Sequence, residues 1–97
     1  MRMMGAKYRI KDTFIITGRG LVLAGTIEEG EIFTGDYIEF IAFGKTRKRK
    51  ITGVSGMRKA DDERMNVGLL IECENENEKV ELRRWRPQNE IGIISKE

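Results

Sequence analysis

The chain has 97 residues, a formal net charge of +2 and 39% hydrophobic residues. This length predicts one domain, with a core that buries roughly 60–70% of the unfolded surface and no room for a separate catalytic domain. The sequence contains no histidine, which removes the commonest general base and metal ligand, so we expect no enzyme activity, no metal and no cofactor. The single cysteine, Cys73, excludes an intrachain disulfide, and no apolar run reaches signal-peptide or transmembrane length, so we expect a cytoplasmic protein without membrane contact.

The predicted elements are short strands separated by turns. Residues 1–12 are expected to form an N-terminal arm, in which residues 7–10 alternate and would suit an edge strand, and residues 13–97 a single domain. Further strands are predicted over residues 13–17, 21–28, 37–43, 46–54, 67–72, 80–84 and 91–95. A hairpin turn is predicted at Gly44-Lys45, a polar connection over 55–66, a solvated loop over 74–78 and a turn at Pro87-Gln88-Asn89.

Glycines divide the most regular stretch, residues 14–36. Because glycine is costly inside a helix and the intervening residues are apolar, this segment predicts two strands joined by a tight corner rather than a helix or a linker. The second strand is expected to bend, and further turns to follow it, so we assign structural roles to Gly18, Gly20, Gly25, Gly30, Gly35 and Asp36. The whole pattern predicts an all-β fold, a small closed or nearly closed antiparallel Greek-key-like barrel of six to seven strands.

The same residues carry a family resemblance. The pattern Phe14-x-Ile16-x-Gly18-Arg19-Gly20-x-Val22-x-x-Gly25-x-Ile27-Glu28-x-Gly30-x-Ile32-x-x-Gly35-Asp36 resembles the second domain of elongation factor Tu and related translational GTPases. The resemblance continues through Ile51-Thr52-Gly53-Val54, Met57-Arg58-Lys59 and Asn66-Val67-Gly68-Leu69-Leu70. It covers residues 12–71, whereas residues 72–97 diverge. It implies a translation-protein β-barrel that stands alone, without the GTPase domain.

The resemblance also implies a binding pocket. In the family, a shallow pocket between barrel loops receives the aminoacyl end of a charged transfer RNA. Phe14 matches the stacking aromatic of that pocket and Asn66 its amide, while Ala24 replaces a threonine hydroxyl and the loop before Asn66 is shorter. From the residues alone, an aromatic that begins a barrel strand is usually a core residue. We expect Arg19 to bond loop carbonyls.

Charge is unevenly distributed along the chain. Residues 47–50 are all basic, residues 72–81 are mainly acidic and Arg83, Arg84 and Arg86 are basic. Such blocks are expected either to form oppositely charged faces or to pair with each other across strands. The run at 47–50 suits either phosphate contacts to RNA or a solvent-facing hairpin. Trp85, set among arginines, suits either base stacking or closure of the core beneath arginine side chains.

Two apparent nucleotide motifs fail. Gly44-Lys45-Thr46 would end a P-loop, but Glu39 stands where that motif needs glycine and a strand is predicted to follow. Gly18-x-Gly20 lacks the third glycine of a dinucleotide fingerprint, because Leu23 occupies its position. We therefore expect no bound nucleotide. Cys73 is interpreted as a small partly buried hydrophobic residue.

Two functions remain, both non-catalytic. The first is a binding module that contacts RNA, either transfer RNA or a ribosomal component, in a translation-related role. Its candidate RNA-binding residues are Phe14, Asn66, Arg47, Lys48, Arg49, Lys50 and Arg58. The second is a protein-interaction module that binds a partner protein such as a separate GTPase, or self-associates as a homo-oligomer.

Overall fold

The structure, a computed structural model, describes residues 6–57 and 66–96. Within them lie β1 (Lys7–Ile16), β2 (Gly20–Glu29), β3 (Tyr37–Ala42), β4 (Lys45–Met57), β5 (Asn66–Ile71), α1 (Glu76–Arg84) and β6 (Glu90–Ser95). The strands close into a barrel in the order β1-β2-β5-β4-β3-β6, and every neighbouring pair is antiparallel. The predicted all-β closed barrel is confirmed, with six strands.

Alternation along the strands fills the barrel interior with aliphatic and aromatic side chains. The fully buried members include Tyr8, Ile10, Leu21, Leu23, Ile38, Phe40, Ile51, Leu69 and Ile94. The Tyr8 hydroxyl crosses this core and donates to the backbone carbonyls of Leu23, at 2.9 Å, and Val67. Burial raises the pKa of Tyr8 well above its ordinary value. The segment 7–10 is therefore not an edge, since it pairs with β2 on one side and β6 on the other.

The turns around β2 and before β3 form at the glycines to which the sequence assigns turns. Gly18, Gly20, Gly30 and Gly35 all have positive φ, between 80° and 130°. The Asp36 carboxylate accepts hydrogen bonds from the Phe33 backbone amide and from Lys96 Nζ, both at 2.8 Å, and so fixes the turn before β3. The β3–β4 loop is Phe43-Gly44, one residue earlier than predicted; both residues have positive φ, as a two-residue type I′ turn requires.

Gly25 has a different role from the turn glycines. It lies inside β2, where a Cβ would stand 1.8 Å from the carbonyl oxygen of Arg9. The β1–β2 register shifts between Ile10 and Asp12, directly beside this contact. A bulge in β1 and the missing side chain in β2 together allow the two backbones to approach and the sheet to curl.

The prediction for residues 74–84 is wrong. A loop over 74–78 and a strand over 80–84 were expected, but these residues contain helix α1. Asn75 is its N-cap, and the Asn75 side chain accepts from the Glu78 amide at 2.8 Å. Glutamates occupy the first turn and arginines the last, an order that suits the helix dipole. Leu82 is fully buried in the barrel core, and the Thr13 hydroxyl donates to the Leu82 carbonyl at 2.8 Å, so α1 is anchored over the barrel interior.

Candidate ligand-binding groove

A groove of about 630 Å³ lies against the outer surface of β1, β2, β5 and β4. In β2, Leu21 and Leu23 belong to the core cluster, while Val22 and Ala24 alternate with them and line the groove. The other strands contribute mainly small or apolar residues. The lining consists of Lys11, Phe14, Ile16, Arg19, Val22, Ala24, Gly25, Thr34, Gly53, Val54, Ser55, Val67, Gly68 and Leu70.

Missing side chains shape the groove. Gly53 and Gly68 lie on β4 and β5, beside larger neighbours. A Cβ on Gly68 would stand 3.2 Å from Val22 Cγ1, and one on Gly53 would stand 3.4 Å from Leu70 Cβ. A side chain at Gly68 would therefore crowd Val22, one at Gly53 would make ordinary van der Waals contact with Leu70, and both would take up space along the wall. The glycines leave a depression whose surface is largely apolar.

Phe14 is the most prominent aromatic residue of the groove. Its side chain is 40% exposed, and the neighbouring Ile15 and Ile16 are also exposed. The alternative that Phe14 belongs to the barrel core is therefore wrong. Ala24, the residue that replaces the family's threonine, lines the same groove. An exposed aromatic ring on an apolar surface is a suitable platform for a planar group or a second aromatic ring.

Asn66 and Arg58 are the two predicted RNA-binding residues that remain outside the basic run at 47–50. Asn66 begins β5, where its backbone pairs with Thr26 of β2 and Met57 of β4. Asn66 therefore lies at the end of β5, a strand that contributes to the groove wall. Arg58 lies outside the described residues, so its assignment as an RNA contact stays a prediction.

The groove lining contains two charged residues, and both are cations. Lys11 and Arg19 line it, and the side chains of both are exposed, with no bonding partner among residues 6–57 and 66–96. The expectation that Arg19 bonds loop carbonyls is therefore wrong. Only its backbone takes part in the turn, where its amide donates to the Ile16 carbonyl at 2.8 Å. An apolar depression with two uncommitted cations suits a ligand that carries both a flat or apolar portion and negative charge.

The basic run at 47–50 divides into two faces. Arg47 is only 3% exposed, and its Nη1 donates to Glu78 at 3.0 Å and to Glu81 at 3.2 Å. Arg49 donates to the same Glu78 carboxylate, with Nη2 at 2.6 Å. Arg47 is thus unavailable to RNA or to solvent, and Arg49 is largely committed, so both interpretations of the run are corrected at these residues. Lys48 and Lys50 are exposed, with Lys48 Nζ 5.6 Å from the Tyr37 ring centroid.

Glu78 is the centre of this cluster. Burial of its carboxyl, the largest single influence, raises the pKa. Hydrogen bonds from Arg49, the Glu74 amide and Arg47 outweigh it and lower the pKa to about 2. The acidic and basic blocks do pair, but between a strand and a helix rather than across strands. A sequence signal existed, because Asn75 followed by Glu78 three residues later is a helix-start pattern.

Trp85 and Cys73 fill structural positions. The Trp85 ring stacks on Phe40, with centroids 5.5 Å apart and planes 23° apart, so it helps to close the core. The arginines do not lie over its ring: the cation–π contacts found among the described residues are those of Lys48 with Tyr37 and Lys96 with Phe33. Cys73 is partly buried against the core, and burial raises the pKa of its thiol to about 11, which fits its interpretation as a hydrophobic residue.

These features define a small closed β-barrel domain with an apolar, positively charged groove on its outer surface. No family model matches the chain. Across the described ranges, no helix has the length and apolar character to cross a membrane. The same ranges contain no group of three or more histidine, cysteine, aspartate or glutamate residues placed to hold a metal ion.

Proposed function

We propose that this protein is a non-catalytic binding module that contacts RNA, either transfer RNA or a ribosomal component, in a translation-related role. The barrel would act as the second domain of elongation factor Tu does. The groove on β1, β2, β4 and β5 is the binding site in this proposal, and an unpaired end of the RNA is the part that enters it.

The observation that carries the proposal is the position of Phe14. Its ring is exposed in an apolar groove whose charged lining residues, Lys11 and Arg19, are both cations without partners in the described ranges. Stacking of a base on an aromatic ring and neutralisation of phosphate by Lys or Arg are the two main contributions to single-stranded RNA binding. Phe14 is also the residue that the resemblance matches to the family's stacking aromatic.

The test is a titration of labelled unfractionated transfer RNA and of ribosomal RNA with the purified protein, followed by fluorescence anisotropy at several salt concentrations. Phe14→Ala removes the stacking ring and should weaken binding by about 1–3 kcal/mol, or roughly five- to 150-fold. Ala24→Leu narrows the groove and should weaken binding without removing any ring.

Phe43→Asn is the matched control. Phe43 is also an exposed aromatic, 55% exposed in the β3–β4 turn, and asparagine tolerates its positive φ. This variant should bind RNA as the unmodified protein does. Absence of any salt-dependent RNA affinity in the unmodified protein would refute the proposal, as would equal losses in Phe14→Ala and Phe43→Asn.

A second candidate function is protein binding, with a homo-oligomer or a separate GTPase as the partner. The outer surface of β3 and β6 favours it, since Ile41 and Ile93 are each about half exposed there and Phe43 is exposed at the adjoining turn. Contiguous exposed apolar residues are typical of protein contact surfaces. Sedimentation velocity over a range of concentrations distinguishes the two functions, because self-association would depend on Ile93 and not on Phe14.

A further inference from the structure

Five cations of the described chain have an ion-pair partner. Arg9 pairs with Glu28, Arg47 and Arg49 pair with Glu78, Lys79 pairs with Glu76, and Lys96 pairs with Asp36. Arg83, Arg84 and Arg86 are different: all three are exposed, and none has an ion pair, a side-chain hydrogen bond or a ring contact among the described residues. They form a run of unpaired positive charge within four consecutive residues.

The architecture explains why these arginines stay exposed. Between them, Trp85 turns inward and stacks on Phe40, and its backbone is already extended, so the helix ends there. The Leu82 carbonyl, one of the last of α1, does not need a guanidinium group as a cap. The Leu82 carbonyl accepts from the Trp85 amide at 3.2 Å and from the Thr13 hydroxyl at 2.8 Å. A favourable effect of positive charge on the helix dipole accounts for one or two basic residues in the last turn, but Arg86 lies beyond the helix.

The C-terminal end of α1, where the arginine run begins, contacts a strand that lines the groove. The Thr13 hydroxyl lies 3.5 Å from the Arg83 carbonyl as well as within hydrogen-bond distance of Leu82. Thr13 immediately precedes Phe14, and Lys11, two residues earlier, lines the groove. The C-terminal end of α1 is therefore fastened to the stretch of β1 that supplies the aromatic ring and one of the two cations of the groove.

We propose that Arg83, Arg84 and Arg86, together with Lys11, form a surface that binds the phosphate backbone of the RNA whose end enters the groove. This inference rests on the proposed function and adds to it the residues that hold the phosphates. Arginine suits this role because its planar guanidinium group binds phosphate oxygens in pairs. The surface replaces residues 47–50 as the main site of phosphate contact, since Arg47 and Arg49 are engaged by Glu78.

The test compares two triple variants that each remove three positive charges from exposed positions. Arg83→Gln, Arg84→Gln and Arg86→Gln remove the proposed surface, and Lys45→Gln, Lys48→Gln and Lys50→Gln are the matched control on β4. Affinity for labelled transfer RNA is measured by anisotropy from about 50 to 200 mM salt. The arginine variant should lose affinity by about tenfold or more, and its log–log salt slope should fall by about 2–3, whereas the lysine variant should change little.

Equal losses in the two variants, or a larger loss in the lysine variant, would overturn this inference and leave the proposed function standing. A protein with no salt-dependent RNA affinity before any substitution would instead refute the proposed function, and this inference with it. Thermal unfolding confirms that each variant is folded. If the triple arginine variant is unstable, Arg84→Gln alone should still lower the salt slope by about 1, and an unchanged slope would contradict the inference.

Discussion

Two basic segments of the chain, residues 47–50 and residues 83–86, differ in what surrounds their charges. In the first, Arg47 and Arg49 turn towards α1 and share the Glu78 carboxylate, and Arg47 is almost completely buried. In the second, all three arginines are exposed and unpaired within the described ranges. These two basic runs, although similar in sequence, therefore have different roles in the folded protein. The first fixes the helix to the barrel, and the second leaves positive charge free for a partner.

The largest effect is expected from Glu78→Gln. The substitution keeps the shape of the side chain but removes the negative charge that two arginines share, so that among the described residues the more exposed Glu81 is the counterion left to the buried Arg47. We expect a loss of about 3–5 kcal/mol in the free energy of unfolding, measured by urea denaturation. Glu76→Gln is the control, since Glu76 is 83% exposed and pairs only with Lys79 among the described residues; its effect should stay below about 0.5 kcal/mol. Similar losses in both variants would remove the distinction.

Acid should weaken the first segment through the same residue. The pKa of Glu78 is lowered from an ordinary value of 4.5 to about 2, so the folded protein binds this proton less tightly than the unfolded chain does. The stability that Glu78 contributes is therefore complete above about pH 4.5 and is lost as the pH falls towards 2. Urea denaturation across this range should show the unmodified protein and Glu78→Gln converging in stability. Parallel curves would contradict the assigned pKa direction.

Paired and unpaired arginines should also differ when each is replaced. Arg49→Met removes several hydrogen bonds to a buried carboxylate and should cost about 1.5–3 kcal/mol. Arg84→Met removes an exposed side chain without a partner in the described chain and should change stability by less than about 0.5 kcal/mol. Thermal and urea unfolding of the two variants measure the contrast. A large loss in Arg84→Met would show that the second segment has a structural role.

The smallest effect on stability is expected at the groove. Phe14 is 40% exposed and stands outside the core cluster, so Phe14→Ala should cost less than about 1 kcal/mol. The same substitution is the one expected to weaken RNA binding most clearly. A loss of about 3–5 kcal/mol, typical of a phenylalanine removed from a core, would mean that the ring supports the barrel rather than binding a ligand.

The barrel could be predicted because its signals are local. Glycines at the turns and apolar alternation in the strands are signals that act over a few residues, and the sequence between Gly18 and Gly35 contains both. Phe14 was harder to place. Tyr8 and Ile10 point inward, but the bulge in β1 between Ile10 and Asp12 shifts the alternation, so that Thr13 is buried and Phe14 faces outward. A one-residue bulge moves every later side chain of the strand to the opposite face of the sheet, and no residue type in the sequence predicts such a bulge.

The Arg47–Glu78 cluster was missed for a different reason. Alternation along β4 places Arg47, Arg49 and Ile51 on one face, and the full burial of Ile51 shows that this face is the inner one. The run of charges suggested solvent instead. Glu78 lies in the stretch that the sequence predicts to be a solvated loop, and a helix of nine residues is marginal on its own and depends on tertiary contacts. The contact between the two halves of the cluster forms only when the strand and the helix pack together.

The central claim is that a buried charge pair between Arg47 and Glu78 attaches the basic strand β4 to α1. The exposed arginines of residues 83–86 are then the cations available to bind a partner. The most direct measurement is a double-mutant cycle on unfolding free energy with Arg47→Met, Glu78→Gln and the two combined. We predict that the combined variant loses less stability than the sum of the single variants, by at least about 1.5 kcal/mol, since each substitution alone removes one partner of a buried ion pair and leaves the other in place. Losses that add to within about 0.5 kcal/mol would show that the two side chains do not interact and would contradict the account.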